Sequence, residues 1–304
     1  MSKIINFHSV KDSSWFDMVL NILKSKYTMV GNGEIESFFC EGKNLENACH
    51  LTVDDGDKTF YEIMFPVLKK HNIQATIFVS PSSCKEGKNF WFQEIRNYDE
   101  IEMKKIICER LRIDDSIGKY SLDSVLTCLE IDKIWEIIRA YQERFNVKDK
   151  EPQNMNLDQL LEIDKSNLVT IGAHTENHPI LANESEERSQ KEIISSIQGL
   201  RNILNHEITC FAYPNGMPKF DFGRREMDVL RDNSCKIAFS TEAKNITVKN
   251  KPLSIPRYGI SYGHANFIKS KLFLGEYWEI FKNLSQKRPD KERIELKNIM
   301  GQNF

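Results

Sequence analysis

Two short stretches of this chain hold the residue types that metal-assisted hydrolysis needs. The first, His50-Leu-Thr-Val-Asp54-Asp55-Gly56-Asp57, ends an apolar run with adjacent carboxylates and a glycine. Neighbours on a regular strand point to opposite faces, so Asp54 and Asp55 share a site only where the pleat breaks, and Gly56 permits that break. Taken alone, the segment reads equally as an ordinary Asp-Gly turn. The second stretch is Ile171-Gly-Ala-His174-Thr-Glu-Asn-His178-Pro179, with two imidazoles four residues apart. On one helical turn they would face the same way, and a compact turn would serve equally, while Pro179 biases His178 toward extended backbone. By itself the pair reads more readily as two surface histidines than as ligands.

Convergence changes that balance. Both stretches sit just past apolar runs with strand character, where β/α folds build their sites. Two histidines and one carboxylate form a catalytic divalent-metal set, Zn²⁺ above all, that leaves a position open for water. Asp54 then becomes the proton acceptor for that water. A third segment, Ile208-Thr-Cys-Phe-Ala-Tyr213-Pro214-Asn215-Gly216, is a strand running into a Pro/Gly turn. Amides around Tyr213 and Asn215 would steady a tetrahedral oxyanion if they face the same site; alone, the segment is only a loop.

These residues need a scaffold. Short β-rich runs at residues 4–7, 50–53, 75–79, 168–171, 208–212 and 236–239 alternate with helical patterns, which predicts a parallel sheet of βα units. The clearest helix follows Ser185, with Glu186 and Glu187 at its positive end and Ile193, Ile194, Ile197, Leu200, Ile203 and Leu204 along one face. Residues 84–152 are too many for one crossover and read as a helical insertion, a packed accessory in preference to a cleft wall. The barrel with this insertion is assigned to residues 1–270, and residues 271–304 to a C-terminal helix (277–284) and a charged, partly disordered tail (286–297).

The 304 residues suffice for one barrel with additions. With 42 basic against 44 acidic residues the net charge is −2, so no overall field draws nucleic acid or an anionic membrane. No apolar stretch approaches the roughly 20 residues of a membrane span, and the N-terminus lacks the apolar core of a signal peptide. Seven scattered cysteines, none spaced Cys-x-x-Cys, fit free thiols. The expectation is a cytoplasmic protein.

The order of motifs resembles the polysaccharide deacetylases, the NodB-homology carbohydrate esterases. The likeness runs through Asn6-Phe-His8-Ser-Val, Thr52-Val-Asp54-Asp55-Gly56, Ala75-Thr-Ile-Phe-Val, Gly172-Ala-His174-Thr-Glu-Asn-His178-Pro179, Phe211-Ala-Tyr-Pro-Asn-Gly216 and Ile255-Pro-Arg257. It implies a distorted (β/α)7 barrel, Asp55, His174 and His178 as ligands of one divalent ion, Asp54 as general base, Thr175 as a support and the amide near Asn215 as an oxyanion donor. Two departures stand out. Many members carry an arginine where this chain has Ala212; Arg257 either replaces it or forms a surface ion pair. The family's Leu-x-x-His segment is not plain, and His264 is the nearest candidate acid by order, against a bland role as a loop histidine. His8 reads as a packed or hydrogen-bonded residue in preference to the barrel mouth, and Trp91 as core. The activity implied is removal of an N-acyl group, N-acetyl first, from an amino sugar; the missing export signal and the unpaired cysteines point to a sugar on a soluble nucleotide or lipid carrier instead of a finished polymer. Hydrolysis of cyclic or small non-sugar amides, and carbohydrate binding without turnover, are the alternatives.

Overall fold

The structure, a computed structural model, describes residues 1–275, 277 and 289–301. Among them eight strands form one parallel sheet: β1 (Lys3–Phe7), β2 (Thr28–Met29), β3 (Ala48–Val53), β4 (Ala75–Val79), β5 (Val169–Ala173), β6 (Cys210–Ala212), β7 (Ile237–Phe239) and β8 (Tyr258–Gly259). Their order is β7-β6-β5-β4-β3-β1-β8, with β2 paired to the start of β3. β1, β3 and β4 are buried along their whole length, as expected of strands covered on both faces; β4 is almost wholly apolar, while β1 and β3 also bury Lys3, Asn6, His50 and Thr52.

One segment draws the two ends of the sheet together. Ile255 bridges to Phe239 of β7, and three residues later Tyr258 pairs with Ile5 of β1. Arg257 therefore enters between the first and last major strands. β2 and β8 are two residues each, too short for periodicity to reveal, and Pro256 lies just ahead of β8.

The helix Glu186–Leu204 is capped by Ser185, whose side chain accepts from the Arg188 amide at 3.2 Å. Its buried face carries Ile193, Ile197, Leu200 and Leu204, and also the carboxylate of Glu192. Within the stretch between β4 and β5, helices Glu100–Leu111, Leu122–Leu126 and Ile131–Phe145 share an apolar cluster of their own, built on Met103, Ile107, Leu126, Ile134 and Ile138.

The chain end corrects one expectation. Residues 289–299 form the helix Pro289–Ile299, whose Leu296 is fully buried in that same cluster, instead of a disordered tail. Arg293 Nη1 also lies 2.6 Å from the buried Asp221 carboxylate, and its Nη2 donates to Thr127 O at 3.1 Å. The segment is mostly charged, so its few apolar residues show no stripe until a partner surface selects them. The helix expected over 277–284 lies outside the described residues, Tyr277 apart, as do residues 286–288 of the tail.

Candidate active site

The site is built where β3, β5 and β6 end. After Val53 the backbone leaves the sheet: the Asp54 amide still donates to Phe7 O at 3.0 Å, but Asp55 and Gly56 then take φ of +72° and +71°. This left-handed pair lets two adjacent carboxylates serve one site. Gly56 has a second constraint, since a Cβ there would stand 2.9 Å from Val79 Cγ1.

Beyond β5 a compact turn carries both histidines. His174 Nδ1 lies 2.7 Å from Ala212 O, so the ring donates there and presents Nε2 to the site. Thr175 and His178 adopt φ of +63° and +57°, rare for any residue and more so for a β-branched one. The bias of Pro179 toward extended backbone is thus overridden, because the Thr175 hydroxyl accepts the His178 amide at 3.0 Å and closes the turn. Glu192 secures the same turn from the following helix. It accepts from the amides of Glu176 (3.2 Å) and Asn177 (2.8 Å) and from Asn177 Nδ2 (2.8 Å). Sequence reading missed Glu192; its one signal is a carboxylate on the buried face of an amphipathic helix.

The imidazoles of His174 and His178 converge on one oxygen. Each Nε2 is 3.4 Å from Asp55 Oδ1, and all three side chains are buried. Asp55 Oδ1 has no hydrogen-bond partner among the described residues. A desolvated carboxylate oxygen left so is costly, and ligands about 2.0–2.2 Å from a tetrahedral ion stand roughly 3.4 Å apart. Donor types, spacing and the orphaned oxygen all fit a divalent metal. Burial opposes ionisation of Asp55, yet the two imidazoles hold its carboxyl well below the ordinary value.

Asp54 has a different environment. Arg257, fully buried, forks onto it with Nη1 to Oδ1 at 2.7 Å and Nη2 to Oδ2 at 2.9 Å. The guanidinium also donates to Asn6 Oδ1, Thr52 Oγ1 and Ser240 O, and Asn6 Nδ2 donates to Asp54 Oδ2 at 3.0 Å. The surface-ion-pair reading of Arg257 is excluded. Burial works to raise the Asp54 carboxyl, but Arg257 outweighs it and keeps the group ionised at neutral pH.

A match to the polysaccharide deacetylase family model spans residues 41–230. The chain belongs to the polysaccharide deacetylase family. Solved structures agree on the fold: IcaB from Ammonifex degensii (16% identity, 90% of this chain and 97% of that one, TM-score 0.59) and the Streptococcus pyogenes deacetylase PplD in complex with acetate (18%, 85% and 91%, 0.57). A de-N-acetylase from Aggregatibacter actinomycetemcomitans matches at 16% identity over 88% of this chain and 98% of that one, with TM-score 0.59. Among curated protein sequences none matches significantly. The curled parallel sheet is the distorted (β/α)7 barrel of this family.

Three sequence expectations need correction in this family member. Tyr213 is not an oxyanion donor: its amide donates to Phe239 O at 3.2 Å, its hydroxyl donates to Leu253 O at 2.9 Å, and its ring stacks on Phe222 in the core. The Asn215 amide makes no hydrogen bond to a described residue, and Asn215 sits at φ +56° at the tip of the turn. His264 caps the helix Ala265–Leu274, with Nδ1 accepting the Phe267 amide at 3.2 Å, and is not brought to Asp54. His8 is exposed at the mouth with Nε2 4.0 Å from Asp54 Oδ2, where a packed or hydrogen-bonded residue is the expectation from sequence. Trp91 is core, its indole donating to His178 O at 3.3 Å, while Phe90 and Phe92 press on the His178 ring.

Proposed function

We propose that this chain is a metal-dependent amidase that removes an N-acyl group, N-acetyl first, from an amino sugar. The observation that carries the reading is the division of labour between adjacent carboxylates: Asp55 converges with two imidazoles, while Asp54 is held ionised by Arg257. Family membership supports it.

Asp55, His174 and His178 hold the ion, with Zn²⁺ the first choice for this donor set. When bound, it polarises the acyl carbonyl and acidifies water. Asp54 takes the proton as the water oxygen attacks the acyl carbon. The Asn215 amide donates to the oxyanion that forms. The C–N bond then breaks, and the amine leaves with a proton from His8, supported in that role by its position beside Asp54. The products are a carboxylate and a free amino sugar. Work on a cytoplasmic glycan precursor belongs to the same proposal, supported by seven free cysteines, five of them buried.

The test is metal analysis of purified protein, then an assay of acetate or formate release from N-acylated sugars alone, nucleotide-linked, lipid-linked and polymeric. Stoichiometric divalent metal and acyl release that Asp54→Asn abolishes are expected. Faster cleavage of cyclic or small non-sugar amides than of any N-acyl sugar would overturn it.

A further inference from the structure

The turn that follows β6 is held in a strained shape from both sides. Asn215, Gly216 and Lys219 take φ of +56°, +70° and +73°, and a Cβ at Gly216 would stand 3.0 Å from Tyr213 O. Such backbone persists only where its surroundings over-determine it. On one flank Thr241 does so: its hydroxyl donates to Asn215 O at 2.6 Å and its amide to Gly216 O at 2.9 Å. On the other flank Asp221 brackets Met217. Its Oδ2 accepts the Met217 amide at 2.7 Å, and its own amide donates to Met217 O at 2.9 Å. The Asn215 N–H, by contrast, makes no hydrogen bond to a described residue.

Asp221 itself is buried and needs a counter-charge. Burial raises its carboxyl, and Arg293 works against that shift. Arg293 comes from the helix Pro289–Ile299, with Nη1 2.6 Å from Asp221 Oδ1. Its Nη2 donates to Thr127 O at 3.1 Å, in the insertion between β4 and β5. That carbonyl also accepts Asn183 Nδ2 at 3.0 Å, and Asp221 O accepts the Ala182 amide at 2.9 Å; both residues lie in the loop after β5, past His178. One guanidinium thus joins the C-terminal helix, the insertion and the turn after β6. A planar fork can face two partners at once, which a single ammonium does poorly.

We propose that Arg293 is a positioning residue: through Asp221 it fixes the turn so that the Asn215 amide stays aimed at the oxyanion. A buried ion pair adds little net stability over apolar packing, because desolvation offsets the attraction, but it fixes geometry. The proposal rests on the deacylase reading above and deepens it, making the C-terminal helix a determinant of turnover although none of its side chains is assigned to the reacting atoms. A donor that drifts weakens the transition state and leaves ground-state binding alone, so the defect falls on kcat.

The test follows Arg293→Ala and Arg293→Lys in the full chain by hydrogen–deuterium exchange, metal analysis and initial rates on β-1,4- and β-1,6-linked N-acetylglucosamine tetramers and a nucleotide-linked N-acetylglucosamine. In Arg293→Ala the Met217 amide should exchange at least about tenfold faster, while the helix Glu186–Leu204 keeps its protection. kcat should fall roughly 10–100-fold, with KM and bound metal within about twofold of wild type. Arg293→Lys should lie between, because it keeps the charge but not the fork, and it carries the test if the alanine variant does not fold. Unchanged exchange over residues 213–222 in the folded variant overturns the proposal. A rise in KM at constant kcat does so too, as does loss of metal, which would place the effect on the loop of His178. A faster-exchanging turn with unchanged kcat also overturns it, because the turn then presents no donor. If wild type releases no acyl group from any of these probes, faster exchange upholds the grip of Arg293 on the turn and sinks the deacylase reading instead.

Discussion

Arg257 and Asp54 stand 203 positions apart in sequence and meet in a buried, two-pronged ion pair, at 2.7 and 2.9 Å. The arginine comes from the segment that closes the barrel and the aspartate from the end of β3, so this one contact ties sheet closure to the state of the proposed base. Removing the arginine leaves a buried carboxylate without its counter-charge. Arg257→Ala should therefore cost about 3–5 kcal/mol of stability as well as activity, seen as a lower denaturation midpoint. Arg257→Lys should restore part of the stability but little turnover, because an ammonium cannot make the fork. Full stability of the alanine variant would contradict the pairing.

Asp54→Asn keeps the shape of the side chain but cannot take a proton. It should retain metal while turnover falls by at least roughly a hundredfold. Near-normal rates with metal bound would move the base elsewhere.

Loss of any one of Asp55, His174 or His178 leaves two donors. Alanine at each position should abolish stoichiometric metal, measured by elemental analysis after dialysis, while circular dichroism stays native. Metal retained in all three variants would refute the donor set.

Glu192 touches no proposed ligand atom and acts through the turn that carries His174 and His178. Glu192→Ala should weaken metal binding about 10–100-fold, as outer partners of ligands typically do, read by chelator competition without recourse to activity. Unchanged affinity would make Glu192 a purely structural residue.

Glu184 accepts the Ile131 amide at 2.7 Å, and burial raises its carboxyl from an ordinary 4.5 to about 7. The folded chain thus holds a proton that the unfolded chain gives up, so this group's contribution is complete below pH 4.5 and is lost as pH rises toward 7. Stability of wild type relative to Glu184→Gln should fall between pH 5 and 8 in denaturant titrations. A pH-independent difference would show that Glu184 is not titrating there.

The ends of β3 and β5 were legible in the sequence, and with them Asp54, Asp55, His174 and His178. A buried parallel strand is an apolar run, and polar residues just past it are local information. The order of these motifs also pointed to the barrel. What local pattern cannot hold is a contact between distant polar groups. Arg257 could be read as surface or brace until closure by Ile255 and Tyr258 placed it inside. Sequence alone gave Glu192 no role, since the three donors it accepts from come together only in the folded turn. Motif order pointed to His264, yet a helix N-terminus occupies it, while the end of β1 brings His8 to Asp54. Pro179 biased His178 one way, and the Thr175 hydroxyl turned it the other. In each case residue type set what a group could do, and packing decided which partner it met, because burial makes an unpaired polar group too costly to leave to chance.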